Sequence, residues 1–449
     1  MSYDLVVKGG RVVTSRDFFV ADVAVSGGRI AAIGKDLSGE REVPAEGLYV
    51  LPGAIDGHVH LTDPTFPPYA VPTADSFATA SVAAAFGGVT TLIDFAQPAP
   101  GESLVEELDR RRSDADGEVA IDYSLHLNLR DPDPSRLHEI PAVFERGVPS
   151  FKLYMAYEGY RLPDTAILRA MRAIAAKDGL AIIHAENDDV VGELRALLAA
   201  EGKTGPRWLR AACPPSAEGE AVHRATVFAG LTGARLLVFH VSCGDALHEL
   251  RAAKARGQTV FGEATSHHLV LDEELVSSNN LRAQSLAVRP PIRDDAHRRK
   301  LWLGLADGTL DIVSTDHCPR RPNGTSHPAG VSGIEARLAL VYSFGVREGR
   351  IDLCRWVDVC CTMPADVFGL PGKGQLWPGY DADLVLFDPE REVVLSADAL
   401  HSPLEFSSYD GVTVRGYPVA TISRGEVIVE NGSFVGSLGR GRFVERSYE

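Results

Sequence analysis

The chain opens on short alternations of apolar and polar residues. Leu-Val-Val-Lys-Gly-Gly-Arg-Val-Val (5–13) and Asp-Val-Ala-Val-Ser-Gly-Gly-Arg-Ile-Ala-Ala-Ile (22–33) have the period of half-buried strands, broken by Gly-Gly turns. No helical spacing occurs in the first 50 residues. The same texture returns after about residue 375, in Asp-Ala-Asp-Leu-Val-Leu-Phe (381–387) and Val-Ala-Thr-Ile-Ser-Arg-Gly-Glu-Val-Ile-Val (419–429). Short strands at both ends of one chain pair most simply into a single small β-sandwich.

Between them the period changes. Strand-like apolar runs at 54–60, 89–96, 122–129, 150–157, 181–186, 236–242, 259–266 and 312–317 alternate with stretches of helical spacing, among them 166–177 and 246–255. Strand and helix in alternation predict parallel βα units, and eight such units close a barrel. The expected fold is therefore α/β: a (β/α)8, TIM-like barrel over 51–374, with a β-sandwich domain built from 1–50 and 375–449. The Pro-Thr-Phe-Pro-Pro-Tyr stretch at 64–69 reads as a loop over the barrel mouth.

Composition narrows the class of function. A net charge of −16 with no basic run argues against nucleic acid and anionic membrane surfaces as partners and favours a small molecule. The N-terminal segment has no basic stretch followed by a long apolar one, and no run approaches the ~20 apolar residues that span a bilayer, so a cytoplasmic enzyme is expected. The six cysteines (213, 243, 318, 354, 360, 361) include no Cys-x-x-Cys pair and read as reduced thiols. Cys318, beside Asp316 and His317, is read as packing.

Six residues carry candidate chemistry. His58, His60, Lys152, His184, His240 and Asp316 each fall at the downstream end of a strand-like run, where a (β/α)8 barrel collects its reactive groups. His58 and His60, two apart in an extended segment, emerge on one face and can grip one metal ion. Lys152 sits in an apolar strand, where burying an ammonium is costly. Desolvation lowers its pKa and leaves an amine able to capture carbon dioxide as a carbamate, a carboxylate that can bridge two metals. His184 and His240 suit the second ion. Asp316 suits the first and can take a proton from water acidified by the metals, whose pKa falls from about 15.7 to about 7. Imidazoles mixed with carboxylates favour zinc, with manganese or cobalt as substitutes. His126, Glu263, His267, His268 and His317 are expected to orient these ligands or to pack beside them.

On these residues the chain resembles the amidohydrolase superfamily, and within it the hydantoinase and dihydropyrimidinase branch of cyclic-amide hydrolases. Similarity extends to Gly-Gly-Val-Thr-Thr-Leu-Ile-Asp-Phe (87–95), His-Ala-Glu-Asn (184–187), Pro-Pro-Ile-Arg (290–293), Thr-Asp-His-Cys-Pro (315–319) and Gly-Ile-Glu (333–335). The resemblance implies a binuclear centre on the six residues, a homodimer or homotetramer, and opening of a cyclic amide or ureide to an N-carbamoyl amino acid. It also implies that Tyr157, five residues after the metal lysine, donates a hydrogen bond to the carbonyl under attack. Allantoinases and dihydroorotases are related alternatives. Dihydroorotases carry an arginine two residues after the second histidine, where this chain has Thr62. A non-catalytic dihydropyrimidinase-like scaffold is a further alternative, but such proteins have lost metal ligands that this chain retains. Two departures concern the substrate. The family's serine before Pro-Pro is Arg289 here, and Ala329 and Ser332 stand where amide side chains are usual. Thr62, Tyr157, Arg289 and Ala329 are thus the expected substrate contacts, and Arg289 is suited to an anionic group on the ring.

Overall fold

The structure, a computed structural model, describes residues 2–62, 71–131, 133–278, 280–323 and 328–448. The 64–69 stretch expected over the barrel mouth lies outside the described residues.

The two ends of the chain build one nine-stranded sheet. Its N-terminal strands are β1 (Tyr3–Val13), β2 (Phe18–Ser26), β3 (Arg29–Gly34), β4 (Gly39–Pro44) and β5 (Tyr49–Pro52). The barrel strands are β6 (Ala54–Asp56), β7 (Val89–Ala96), β8 (Asp122–Asn128), β9 (Ser150–Tyr154), β10 (Leu180–His184), β11 (Arg235–Val238), β12 (Val260–Thr265) and β13 (Ile312–Ser314). Strands β14 (Leu384–Val394), β15 (Thr413–Ser423), β16 (Glu426–Glu430) and β17 (Ser433–Phe434) complete the terminal sheet. Its order is β17-β16-β15-β14-β5-β1-β2-β3, with β4 also paired to β1. The halves join where β14 runs antiparallel to β5, placing Val385 opposite Leu51. Leu5, Val7, Val23 and Val25 from one half share a core with Leu384, Leu386, Ile422 and Val427 from the other. The remote ends approach each other too, since Ala382 N–H donates to the carbonyl of Gly28 at 2.9 Å.

The eight barrel strands form a parallel sheet in chain order, β6 through β13. Closure is made just past the strand ends, by a parallel bridge between Val59 and His317 and by His60 N–H donating to His317 carbonyl at 2.8 Å. Alternation sorts side chains onto two faces. Phe151, Leu153, Ala181, Ile183, Leu236 and Val238 pack outward among helix residues such as Ile167 and Met171. Ile55, Ile93, Ile182, Leu237, Phe239 and Ile312 form a separate inner cluster with Phe368. Among the described residues no helix is long and apolar enough to cross a membrane, and all six cysteines are free.

Barrel and sheet are joined by buried charge. The Lys373 ammonium lies 2.6 Å from Asp122 at the start of β8, 2.8 Å from Asp383 and 3.0 Å from Asp381. Arg424 adds a second cation 3.1 Å from Asp122. Next to this cluster the C-terminal segment returns to the barrel, where Tyr123 N–H donates to Arg442 carbonyl and Val444 N–H donates to that of Tyr123. Removing the cation from such a cluster leaves buried carboxylates without compensation, at about 3–5 kcal/mol. Lys373→Met is therefore expected to lower the urea midpoint by a matching amount, and an unchanged midpoint would show that Lys373 does not hold barrel and sheet together.

Candidate active site

All six candidate ligands line one cavity at the C-terminal ends of the barrel strands, and Tyr157, Arg289, Ala329, Arg320 and Cys318 share its wall. Period-two alternation accounts for part of this placement. In β9, Phe151 and Leu153 pack against helices, so Lys152 faces inward; in β10, Ala181 and Ile183 do the same, so His184 faces inward. Asp316 shares the parity of Ile312 on the inner face.

The remaining positions need a break in the alternation. Phe239 belongs to the inner cluster, so simple alternation would turn His240 outward, but His240 has φ +39° and the chain swings it back into the cavity. Ile55 lies inside while Val59, four residues on, lies outside; the phase slips across Gly57, where a Cβ would fall 2.0 Å from the Phe368 ring. This explains why β6, β11 and β13 stop at Asp56, Val238 and Ser314, earlier than the runs predicted from the sequence. Left-handed backbone at His240 and at Asp316 (φ +51°) cannot continue a ladder.

The ligand atoms fall into two groups. His58 Nε2 lies 3.1 Å and His60 Nε2 3.4 Å from Asp316 Oδ1, and one donor atom from each of these residues lies within 4.8 Å of the others. Opposite them, His184 Nδ1 and His240 Nε2 approach to 2.9 Å. Five donors in two sets, imidazole on one side and imidazole with carboxylate on the other, fit two divalent cations. The far nitrogens of two rings are anchored by carboxylates: His58 Nδ1 by Glu263 at 3.0 Å, and His184 Nε2 by Glu186 at 2.9 Å. A carboxylate at the far nitrogen fixes the tautomer so that the near nitrogen presents a lone pair. The same Glu263 oxygen accepts the His240 backbone N–H at 2.8 Å, which ties the two groups together. Among the described residues His240 Nδ1 has no hydrogen-bond partner.

Lys152 lines the same cavity as the two groups and is 2% exposed. Its Nζ is 4.0 Å from the Phe239 ring centroid, and among the described residues it makes neither a hydrogen bond nor an ion pair. Burial lowers its pKa to about 7 against the pull of Glu263 and Asp316. Burial also acts to raise the Asp316 carboxyl, yet His58 and His60 hold it well below the usual carboxylate range.

The expected substrate contacts separate. Tyr157 (φ +76°) donates its O–H to Arg289 carbonyl at 3.2 Å, and its ring lies 4.8 Å from that of His184. Arg289, expected to contact substrate, is 9% exposed, lies over the Tyr157 ring at 4.8 Å, and binds Glu186 at 3.0 Å and Asp188 at 3.3 Å. Asp188 begins the helix Asp188–Ala200, capped by Asn187. Ala329 reaches the cavity, whereas Ser332 pairs with Ser408 elsewhere. Thr62 is not on the cavity wall: its hydroxyl accepts from Arg111, which also binds Asp94. Cys318, expected to be packing, is on the wall.

The supporting residues are partly as expected. Glu263 orients His58, His126 joins Ser150 to Gly57, and His317 joins Asp75 to the backbone at Gly333. His267 and His268 both meet Thr265. Glu186 and Arg320 were not singled out from sequence. Glu186 had a signal, standing two residues after His184 at the same strand end; Arg320 had none.

Residues 49–428 match the amidohydrolase family. The chain is 39% identical to a D-hydantoinase of Ralstonia pickettii over 99% of both proteins, and 38% identical to a D-hydantoinase of Rhizobium radiobacter over 99% of both. It superposes on the crystal structure of a dihydropyrimidinase from Brevibacillus agri with a TM-score of 0.95 at 37% identity, covering 98% of each chain. With the family match running over residues 49–428 and relatives aligned over nearly their whole length, this chain belongs to the amidohydrolase family and, within it, to the hydantoinase and dihydropyrimidinase branch.

Proposed function

We propose that this chain hydrolyses a cyclic amide or ureide of the hydantoin or dihydropyrimidine type to an N-carbamoyl amino acid at a centre for two divalent metal ions. The observation that carries this reading is the convergence of the His58–His60–Asp316 group, the close His184–His240 pair and the buried Lys152 on the wall of one cavity. His58, His60 and Asp316 would hold one ion and His184 and His240 the other. Zinc suits these donors best, with manganese or cobalt as substitutes. Lys152, as a neutral amine, would add to the carbon of carbon dioxide with release of one proton, and the resulting carbamate would supply a carboxylate to the metal centre. The ions would supply Lewis acidity and a water acidified toward neutral pH.

The chain's own groups divide the remaining work. Asp316 accepts the proton that water loses as its oxygen bonds to the ring carbonyl carbon. Asp316 returns that proton to the ring nitrogen as the C–N bond breaks, leaving a ureido group and a carboxylic acid, which loses its own proton to solvent. Tyr157 O–H turns from Arg289 carbonyl to the substrate oxygen as negative charge develops there. Ala329 and Arg289 frame the ring, while Thr62 is held by Arg111 away from the cavity. The catalytic unit in this reading is the barrel over 51–374, supported by 1–50 and 375–449. A cytoplasmic homodimer or homotetramer accompanies it.

Assaying hydantoin, dihydrouracil, allantoin and dihydroorotate alongside metal analysis tests the reading; no ring opened by metal-loaded protein would overturn it. Lys152→Ala is expected to abolish turnover and reduce bound metal, with short carboxylic acids restoring part of both. Two retained metals and normal turnover would remove the carbamate. Tyr157→Phe should keep its metal and lose about 10²- to 10³-fold in kcat. An unchanged kcat would return the phenol to a packing role.

A further inference from the structure

The cavity wall facing the metal ligands carries a guanidinium whose surroundings leave it incompletely used. Arg289 Nε is held by Glu186 and Nη2 by Asp188, while the flat face of the group covers the Tyr157 ring. Nη1 makes no hydrogen bond with any described residue. The group is thus fixed in place by two carboxylates and an aromatic face, with one charged donor unspent among the described residues, in a residue that lines the cavity. Burial opposes its charge, yet Glu186 and its neighbours keep Arg289 firmly protonated. A second guanidinium, Arg320, lines the same cavity and is 4% exposed. Among the described lining residues Asp316 is the one carboxylate, and it belongs to the ligand group.

We propose that Arg289 is a specificity residue that binds an anionic substituent on the substrate ring, so that the preferred substrates are cyclic ureides bearing a carboxylate. This rests on the ring-opening reading above. Arg289 is in contact with Tyr157, the residue that meets the reacting carbonyl in that reading, so a substituent on the same ring comes within a side chain's reach. A neutral ring would leave the Nη1 donor to water or unsatisfied. A carboxylate would take it in a charge-assisted hydrogen bond, which is stronger than a neutral one. A merely structural Arg289, present to neutralise Glu186 and brace Tyr157, would influence every ring alike.

The discriminating measurement is a ratio of kcat/KM values for 5-carboxymethylhydantoin and its isosteric amide, 5-carbamoylmethylhydantoin. In the wild-type metalloenzyme the carboxylate should be favoured by roughly 10- to 100-fold, the range of one charge-assisted hydrogen bond. Arg289→Gln should bring the ratio close to one, and Arg289→Lys should retain part of it. Equal efficiency on the two rings in the wild type overturns the proposal while leaving ring opening intact, and it needs no variant to fold. An unchanged ratio in Arg289→Gln overturns it as well. Failure of the wild type to open either ring, or any in the wider panel, would instead remove the ring-opening reading on which it stands.

Discussion

A lysine ammonium at 2% exposure, with neither hydrogen bond nor ion pair among the described residues, loses its hydration without replacement, and the site is arranged around that constraint. Lys152 is held inward because Phe151 and Leu153, its neighbours in β9, are committed to the helices outside the barrel. The inner face offers it the Phe239 ring rather than an acid. With Glu263 and Asp316 acting only at longer range, burial dominates and the amine becomes easy to deprotonate. Placing a carboxylate beside Nζ would relieve the cost and remove the reactivity.

Acids are present nearby, but each is directed elsewhere. Glu263 faces His58 and the His240 backbone; Glu186 faces His184 and Arg289. Burial would raise the Glu186 carboxyl, but Arg289 and then His184 bring it down to about 2, so it stays an acceptor. Each glutamate therefore fixes an imidazole on one side and a neighbouring element on the other. Arg289 lies at the end of this chain of contacts, which couples its part of the cavity wall to the His184 imidazole without a direct bond between them.

Such an arrangement is bought with backbone strain. Tyr157, His240 and Asp316 all have positive φ, where a side chain costs about 1–3 kcal/mol. These residues supply the wall phenol, one ligand of the imidazole pair and the carboxylate of the other group. The surrounding barrel supplies what holds them: a ladder paired through eight parallel strands, closed by Val59 and His317, and anchored to the terminal sheet by Lys373 among three aspartates.

Much of this was legible in the order of residues. The change of period from strand alternation to βα units and back is a local property of the chain, so the barrel, the terminal sheet and the inward face of Lys152 and His184 could be read directly. The family motifs carried the ligand set. What could not be read was any feature that depends on partners distant in sequence. His240 and the His58–His60 pair reach the cavity only because the backbone departs from alternation at φ +39° and across Gly57. Thr62 left the expected substrate surface because Arg111, 49 positions away, takes its hydroxyl. Arg289 was legible as a departure from the family pattern, but its direction was decided by Glu186, 103 positions away, and by the Tyr157 ring. Periodicity records which face a residue occupies; the partner it meets there is set by tertiary packing, which brings together residues that no local pattern relates.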